Sequence, residues 1–354
     1  MDTQLKDFNT VWISLTYNCN NRCEWCYTAS NTNEHKRKVF PIEKELPVID
    51  LLDSLGVKRV ILIGGEPTLY SDLENIVNNI SQRGIRVGMV SNGRRFRERD
   101  FSRSLKANGL NYVAISVISA DAGIHDKITK VNGSFNETMQ GIRTASGEGI
   151  DVATNTVIGL DNYRGIERIV DLLEQEPISE LTFNICGVCI SQESNNSQIL
   201  LSHEAVKSFE RVYLYAKQKG LRTRLITPMP LCLFDQGIVH ELKDKKLISG
   251  GPCQITHGKN FVIEYNGDIV PCTHLAHFPL LNIFENGGVI SMEEFIRRYN
   301  NPEGVPYNFR KKVSRYPSLK CEEPNCNEYC SGGCPLFWIR FDPEIEIKGL
   351  KTLV

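Results

Sequence analysis

The sequence lacks several features, and each absence excludes a class of protein. Its 41 lysine and arginine residues are balanced by 42 aspartate and glutamate residues, which gives a net charge of −1. No excess of basic charge is therefore available to bind nucleic acid. There is no apolar run of about 18 residues or more, and the N-terminal stretch "MDTQLKDFNT" contains no apolar signal region. We expect a cytoplasmic protein that binds neither membranes nor nucleic acids.

Cysteine, in contrast, is abundant. The chain has 12 cysteines, and in a reducing compartment such a number favours metal or redox chemistry over disulfide bonds. Three of them, Cys19, Cys23 and Cys26, lie close together near the N-terminus. Their C-x3-C-x2-C spacing lacks the fourth ligand of an ordinary structural zinc site, although part of such a site would also fit. The spacing suits a cubane iron–sulfur cluster with one iron left open.

Short apolar runs rich in β-branched residues alternate with amphipathic stretches. Six runs predict β-strands, beginning at Val11, Arg59, Arg86, Tyr112, Asp151 and Glu180, and the stretches 41–55, 73–83, 135–148 and 163–175 predict helices. The alternation predicts consecutive right-handed βαβ units, a parallel sheet and an α/β fold. Six such units form either a curved partial barrel or a flat doubly wound sheet. In both, functional residues gather at the carboxyl ends of the strands.

The pattern changes after a predicted helix that begins near Ser202. The segment "FVIEYNGDIVPC" from Phe261 has two alternating stretches around an Asn-Gly pair, which is the pattern of a β-hairpin. A cysteine-dense segment, "CEEPNCNEYCSGGCP" from Cys321, follows it. We therefore predict two domains, over residues 1–225 and 226–354.

The cysteine loop, with Trp25 before its last cysteine, resembles that of the radical S-adenosylmethionine (radical SAM) superfamily. The resemblance implies a partial (β/α)6 TIM-like barrel and a 4Fe–4S cluster on Cys19, Cys23 and Cys26, whose open iron binds the amino and carboxylate groups of S-adenosylmethionine. Reductive cleavage would release a 5′-deoxyadenosyl radical that abstracts hydrogen from a substrate. An external electron donor such as a flavodoxin or ferredoxin would supply the electron.

Further motifs at successive strand ends strengthen this resemblance. The segment "GGEP" is similar to the family's segment that receives the methionine ammonium group, and polar residues after the third strand and in the fourth resemble those that contact ribose or carboxylate. In "HDKITKVNGSF", Thr129 stands where relatives often have an arginine near the cofactor carboxylate, so we expect Lys130 to take its place. The resemblance thus implies that the cofactor-binding residues are Trp25, Gly64, Gly65, Glu66, Pro67, Ser91, Asn92, Ser116 and Lys130.

The C-terminal cysteines resemble a SPASM domain, which holds auxiliary iron–sulfur clusters in peptide-modifying members of the superfamily. The resemblance implies two such clusters. The first would bind Cys232, Cys253, Cys272 and Cys334, and the second would bind Cys321, Cys326 and Cys330. The spacing over 321–334 departs from the usual pattern, and the second cluster lacks a fourth cysteine. The alternative is a zinc site of the four cysteines from 321 to 334.

Cys186 ends the sixth predicted strand, where functional residues gather. It either packs in the core, as free cysteines often do, or donates a hydrogen atom to a substrate radical. Among the histidines, His274 and His277 follow Cys272 within five positions and are the ones expected near the edge of a cluster.

Together these features predict a radical SAM enzyme that modifies a ribosomally made precursor peptide by crosslinking, epimerisation or oxidation. A dehydrogenase or epimerase of a small molecule, such as an aminocyclitol or sugar, is the alternative within the same chemistry. A non-catalytic iron–sulfur or zinc scaffold is the alternative outside it. Because the first strand begins near residue 11, we expect no peptide-recognition domain before it, and a separate protein could then recognise the leader peptide.

Overall fold

The computed structural model describes residues 8–23, 26, 38–187, 199–244, 258–313, 318, 321, 330, 332–339 and 342–346. Most strands of these residues lie in one sheet. They are β1 (Thr10–Thr16), β2 (Arg59–Gly64), β3 (Arg86–Ser91), β4 (Leu110–Ser116), β5 (Asp151–Ile158), β6 (Glu180–Ile185), β7 (Thr223–Leu225), β8 (Phe261–Ile263), β9 (Asp268–Val270) and β10 (Leu281–Asn282). Two further short strands, β11 (Phe284–Glu285) and β12 (Gly288–Val289), pair with each other.

The order of the strands distinguishes a partial barrel from a doubly wound sheet. The order is β10-β9-β8-β1-β2-β3-β4-β5-β6-β7, and every neighbouring pair from β1 to β7 is parallel. A doubly wound sheet reverses its order at a switch point, whereas a barrel adds each strand beside the one before it. The predicted partial (β/α)6 barrel is confirmed, and β7 extends it by a seventh parallel strand.

Helices connect the parallel strands and continue beyond them. They are α1 (Glu45–Ser54), α2 (Leu73–Gln82), α3 (Arg99–Ala107), α4 (Ala122–Thr129), α5 (Ser134–Gly147), α6 (Glu167–Leu173), α7 (Ser202–Gln218), α8 (Gln236–Asp244), α9 (Met292–Asn300), α10 (Val305–Val313) and α11 (Pro343–Glu346). The sequence predicts α1, α2, α5, α6 and α7, and the structure confirms them. It does not predict α3 and α4. Among the described residues, no helix has the length and apolar composition that are needed to cross a membrane.

The two faces of the sheet differ because successive strand residues point to opposite sides. Val11, Ile13 and Leu62 face the helices and join the main core with residues such as Ile76 and Phe209. On the other face, Trp12, Ile61 and Val262 belong to a separate apolar cluster. Towards the carboxyl ends of the strands this inner face becomes polar, and it is there that the candidate site lies.

The predicted hairpin forms, and it joins the main sheet. Strands β8 and β9 are antiparallel, as the Asn-Gly turn predicts, and β8 pairs in parallel with β1 through Val11, Trp12 and Ile13. The C-terminal third of the chain is thereby attached to the first strand of the barrel. The domain boundary predicted at residue 225 coincides with the last residue of β7 and stays a prediction.

Candidate functional site

The three N-terminal cysteines follow β1 directly. The backbone N–H of Asn21 donates to Sγ of Cys19 at 3.3 Å, and that of Cys26 donates to the carbonyl oxygen of Cys23 at 3.3 Å. The N–H of Arg22 donates to the carbonyl of Thr129 at 2.8 Å, which ties the loop to the end of α4. We call residues 17–26 the cysteine loop. Trp25, a predicted cofactor contact, lies outside the described residues.

The thiols of the loop share one electrostatic environment. Burial raises the pKa of Cys19 far above its ordinary value, and Glu66, Cys23 and Cys26 raise it further. Burial, followed by the influence of Cys26, raises the pKa of Cys23 to about 12. A bound metal cluster would offset this cost by stabilising the thiolates, so the donor set fits an iron–sulfur cluster. In the described residues, however, no three cysteine, histidine or acidic side chains converge as a metal site.

The two glycines of "GGEP" allow β2 and the cysteine loop to approach each other closely. A Cβ atom on Gly64, whose φ is +150°, would lie 2.2 Å from the carbonyl oxygen of Thr16. One on Gly65 would lie 2.5 Å from the carbonyl oxygens of Tyr17 and Asn18. Backbone N–H groups of this segment bond to the same stretch, from Gly65 to Thr16 at 2.6 Å and from Glu66 to Asn18 at 2.8 Å. The approach that these glycines permit is therefore to the chain's own backbone.

Glu66 is fully buried and organises the ends of β2 and β3. Its carboxylate accepts hydrogen bonds from the Thr68 N–H at 3.1 Å, the Thr68 hydroxyl at 2.8 Å, the Ser91 hydroxyl at 2.8 Å and the Asn92 N–H at 2.8 Å. Burial raises the pKa of Glu66, while these donors oppose the rise. Pro67 begins the short 3-10 turn that Glu66 caps.

A second group of contacts holds the cysteine loop on the segment after β3. The Asn92 side-chain amide donates to Oδ1 of Asn20 at 2.6 Å. The Arg94 guanidinium donates to the carbonyl oxygen of Asn20 at 2.7 Å and to Oδ1 of Asn21 at 3.0 Å, and it pairs with Glu137 of α5. Asn92 therefore binds the cysteine loop, and Ser91 binds Glu66. Direct contact of either residue with a cofactor stays a prediction.

Polar side chains line the inner face at the ends of β4, β5 and β6. Ser116, a predicted ribose contact, ends β4 and pairs in register with Asn155 of β5. The amide of Asn184 on β6 donates to Oδ1 of Asn155 at 2.7 Å, and the Thr227 hydroxyl donates to Oδ1 of Asn184 at 3.2 Å. This hydrogen-bonded row provides donors and acceptors at the carboxyl ends of the strands, the same edge of the sheet from which the cysteine loop begins.

Lys130 lies at the surface and caps α4. Its backbone is left-handed, with φ 54°, and its side chain is exposed. The preceding Thr129 is buried, and its hydroxyl is 2.7 Å from that of Ser134. Asp126 accepts hydrogen bonds from Ser134 and from the backbone N–H groups of residues 133 and 135. The predicted role of Lys130 at the cofactor carboxylate stays a prediction.

The end of β6 meets the hairpin. Cys186 is buried with Ile199, and its backbone N–H donates to the Ile158 carbonyl at 2.9 Å. A Cβ on the next residue, Gly187, would lie 3.7 Å from Nε2 of His274, two positions after Cys272. The burial of Cys186 agrees with core packing, and its role as a hydrogen-atom donor stays a prediction.

Two sets of contacts involve described C-terminal cysteines. Cys272 and Cys334 belong to one small apolar cluster with Leu336. Sγ of Cys330 accepts the N–H of Leu231, the neighbour of Cys232, at 3.4 Å. Cys321 is buried, whereas Cys253 and Cys326 lie outside the described residues. The assignment of these cysteines to two auxiliary clusters stays a prediction.

Several residues that hold this site together were not predicted. Arg94 directly follows "SNG", yet no feature of the adjacent sequence indicates that it binds Asn20, which lies 74 positions away. The sequence does contain a signal for Glu264, because it is the acidic residue in the otherwise apolar segment "FVIEY". It is only 3% exposed, and its carboxylate accepts the Tyr17 hydroxyl at 2.8 Å.

Comparison with known proteins gives three findings. Residues 13–173 match the model of the Radical SAM superfamily. This segment covers β1 to α6 and includes the cysteine loop, the "GGEP" turn and Ser116.

Curated relatives match about half of the chain. An Fe-coproporphyrin III synthase of Methanosarcina barkeri is 32% identical over 49% of the chain and 42% of its own length. A probable GTP 3′,8-cyclase of Saccharolobus islandicus is 30% identical over 48% of the chain and 54% of its own length. The chain thus spans about half the length of these relatives.

Solved structures share the fold over almost the whole chain. Streptococcus suis SuiB bound to S-adenosylmethionine has a TM-score of 0.72 at 17% identity, covering 95% of this chain and 75% of that one. Native anSMEcpe with bound AdoMet has a TM-score of 0.71 at 16% identity, covering 92% and 89%.

Proposed function

Because this chain belongs, through residues 13–173, to the radical SAM superfamily, we propose that it cleaves S-adenosylmethionine reductively and abstracts hydrogen from a peptide. The observation that carries the proposal is the cysteine loop itself. Burial raises the pKa of Cys19 and of Cys23, and Glu66 raises both further; the loop lies at the carboxyl ends of the strands, where barrel enzymes place their chemistry.

The cofactors would supply the radical, and the chain would orient them. A 4Fe–4S cluster on Cys19, Cys23 and Cys26 would deliver one electron, from a flavodoxin-like or ferredoxin-like donor, that breaks the sulfonium C–S bond to give methionine and the 5′-deoxyadenosyl radical. The backbone of Gly64 to Pro67 would face the methionine ammonium group. Ser116 and the inner-face row that begins at Asn155 would provide polar partners for the adenosyl group and the substrate.

A ribosomally made peptide is the substrate that we propose. The support is the fold shared over most of the chain with SuiB, which has been solved bound to the precursor peptide SuiA, and with anSMEcpe, solved with the Kp18Cys peptide. The curated relatives favour a second candidate, because their names describe a porphyrin synthase and a nucleotide cyclase, which act on small molecules. Those relatives match only about half of the chain.

We also propose two auxiliary iron–sulfur clusters in the C-terminal region. Cys272 and Cys334 share one apolar cluster and would belong to the first, together with Cys232 and Cys253. Cys321, Cys326 and Cys330 would bind the second. After hydrogen abstraction, these clusters would accept the electron that a substrate radical loses when a crosslink or carbonyl forms. A separate leader-recognition protein is a further proposed partner.

Replacing Cys19, Cys23 and Cys26 together with alanine tests the proposal. After anaerobic reconstitution, wild type should bind about 12 irons and the triple variant about eight, at about four per cluster. With dithionite and S-adenosylmethionine, only wild type should release 5′-deoxyadenosine. Deoxyadenosine from the triple variant would refute the assignment of the initiating cluster. Tetrahedral zinc on the four cysteines from 321 to 334 would refute the second auxiliary cluster.

The substrate class is tested separately. Short peptides encoded beside the gene should increase deoxyadenosine release and change in mass during the reaction. If an aminocyclitol or sugar is consumed instead, the small-molecule alternative is correct. If wild type binds iron but produces no deoxyadenosine under any condition, the chain is a non-catalytic scaffold.

A further inference from the structure

Glu264 is a buried acid whose position the proposed chemistry does not explain. It follows β8 on the polar part of the inner face, and it is 3% exposed. The Tyr17 hydroxyl donates a hydrogen bond to its carboxylate at 2.8 Å, while Asp268 lies close enough to repel its charge. Burial of a carboxyl group costs free energy, so the position of Glu264 calls for an explanation other than stability alone.

The backbone of Glu264 is held by the hairpin turn. Its N–H donates to the carbonyl oxygen of Asp268 at 2.8 Å, and its carbonyl oxygen accepts the N–H of Gly267 at 2.9 Å. Because both backbone groups of Glu264 are hydrogen-bonded within the turn, the backbone from which its side chain extends has a defined position. The same hairpin continues through β9 to Cys272, two residues after that strand ends.

Tyr17 lies at the other end of this contact and begins the cysteine loop, two residues before Cys19. Its hydroxyl donates to Oε2 of Glu264 at 2.8 Å, and its ring lies edge-on against that of Tyr265 at 5.4 Å. Its carbonyl oxygen is packed against Gly65, at 2.5 Å from the position of a Cβ there. A shift of Tyr17 would therefore disturb the contact between the cysteine loop and the "GGEP" turn.

We infer that Glu264 is a positioning residue for the cysteine loop: through the Tyr17 hydroxyl it holds the start of the loop on the hairpin that carries Cys272. The inference rests on the proposed function, because this loop is the proposed site of S-adenosylmethionine cleavage. The distance between the initiating site and the auxiliary cysteines then depends on a contact between residues that are 247 positions apart.

The chain offers a matched control. Glu45 at the start of α1 is also buried, at 2% exposure, and accepts the hydroxyl of Tyr70 at 2.5 Å. Burial raises the pKa of Glu45 and of Glu264 to the same value, about 7. The Tyr70 hydroxyl also donates to the carbonyl oxygen of Phe40 at 3.1 Å, but among the described residues no hydrogen bond joins the Glu45 and Tyr70 side chains to the cysteine loop or to the hairpin. Loss of either pair should destabilise the protein similarly, but only one should disturb the loop.

Two measurements are made on reconstituted Glu264→Ala, Glu264→Gln, Tyr17→Phe and Glu45→Ala. Amide hydrogen exchange reports the loop itself, because the N–H groups of Asn18, Asn21 and Arg22 are hydrogen-bonded in the structure. We expect Glu264→Ala and Tyr17→Phe to speed exchange of these amides about tenfold. Glu264→Gln keeps an acceptor for the Tyr17 hydroxyl and should remain within about twofold of wild type. Glu45→Ala should change exchange only around α1.

Deoxyadenosine release reports the consequence for chemistry. It should fall about tenfold in Glu264→Ala, because a small misplacement of a reactive group reduces the rate strongly, and Glu264→Gln should restore it. Unchanged loop exchange in Glu264→Ala, or equal changes in Glu45→Ala, would overturn the inference. If wild type releases no deoxyadenosine, the proposed function fails, while the exchange data still decide whether Glu264 positions the loop.

Discussion

Glu66 and Arg94 show how single side chains hold this site together. The carboxylate of Glu66 is fully buried and joins β2 to the end of β3 through Ser91 and Asn92. The guanidinium of Arg94 joins the cysteine loop to α5 through Asn20 and Glu137. Both residues act on backbone and loop positions, so their effect on a bound cofactor would be indirect.

Arg94→Lys should weaken the site without unfolding the protein. Lysine keeps the positive charge but loses the planar fork that reaches Asn20, Asn21 and Glu137 together. We expect deoxyadenosine formation to fall about tenfold, because the loop would be held less firmly. The measurement is the initial rate with matched iron content.

Arg143→Lys is the control for this prediction. Arg143 lies on α5, the helix of Glu137, and makes a forked pair with Glu176; within the described part of the chain it has no hydrogen bond to the cysteine loop. The rate of this variant should equal that of wild type. Equal rates in Arg94→Lys and Arg143→Lys would show that the Arg94 contacts do not position the loop.

At the scale of secondary structure elements, the close approach of β2 to the end of β1 brings the "GGEP" turn onto the cysteine loop. The glycines are required by space, because carbonyl oxygens of residues 16 to 18 occupy the positions that Cβ atoms would take. This contact between two neighbouring strand ends sets how the backbone of the turn faces the cysteines.

Gly65→Ala should therefore move the turn away from the loop. Its new Cβ would lie 2.5 Å from the carbonyl oxygens of Tyr17 and Asn18, which are backbone atoms that cannot rotate away. We expect the variant to fold, as judged by circular dichroism, but to bind S-adenosylmethionine at least about tenfold more weakly in calorimetry. Gly147→Ala at the end of α5 is the control, because nothing lies within 4 Å of its Cβ position. Affinity equal to wild type in Gly65→Ala would contradict the steric argument.

At the scale of the whole molecule, one sheet unites the barrel with the C-terminal hairpin, and buried acids lie in both parts. Glu45 lies in α1 of the barrel, whereas Glu264 lies in the hairpin. Burial raises the pKa of each from 4.5 to about 7, partly opposed by hydroxyl donors. The free energy of unfolding should therefore depend on pH through Glu45 in the barrel and through Glu264 in the hairpin.

The sign of this dependence follows from proton binding. Between pH 4.5 and 7 the folded chain keeps protons on these carboxyls that the unfolded chain has lost, so the free energy of unfolding falls as pH rises through this window. Glu264→Gln should remove its share, up to about 3 kcal/mol because one pKa unit is worth about 1.4 kcal/mol. The measurement is the urea midpoint of wild type and variant from pH 5 to 8 under reducing conditions.

His125 has the opposite effect on the free energy of unfolding over part of this pH range. Burial lowers its pKa from 6.5 to about 4, so its contribution to stability is lost as pH falls through that window. The comparison of Glu264→Gln with wild type cancels this contribution. If the two proteins lose stability in parallel from pH 5 to 8, Glu264 does not have a raised pKa.

Local patterns in the sequence were enough to predict the elements and the order of the motifs. Strands β1 to β6 lie where the apolar runs predict them, and the hairpin forms around its Asn-Gly turn, because side-chain periodicity and turn chemistry act over a few neighbouring residues. For the same reason the cysteine loop and "GGEP" could be placed at strand ends before the structure was known, and the superfamily could be recognised from them.

Which of these segments contact each other depends on the packed fold. It pairs β8 with β1, holds Asn20 on Arg94, and brings the Glu264 carboxylate to Tyr17 across 247 positions of chain. It also places the chain's own carbonyl groups against Gly64 and Gly65. Such contacts depend on how the packed elements share space and satisfy buried polar groups, and no local pattern in the sequence encodes them.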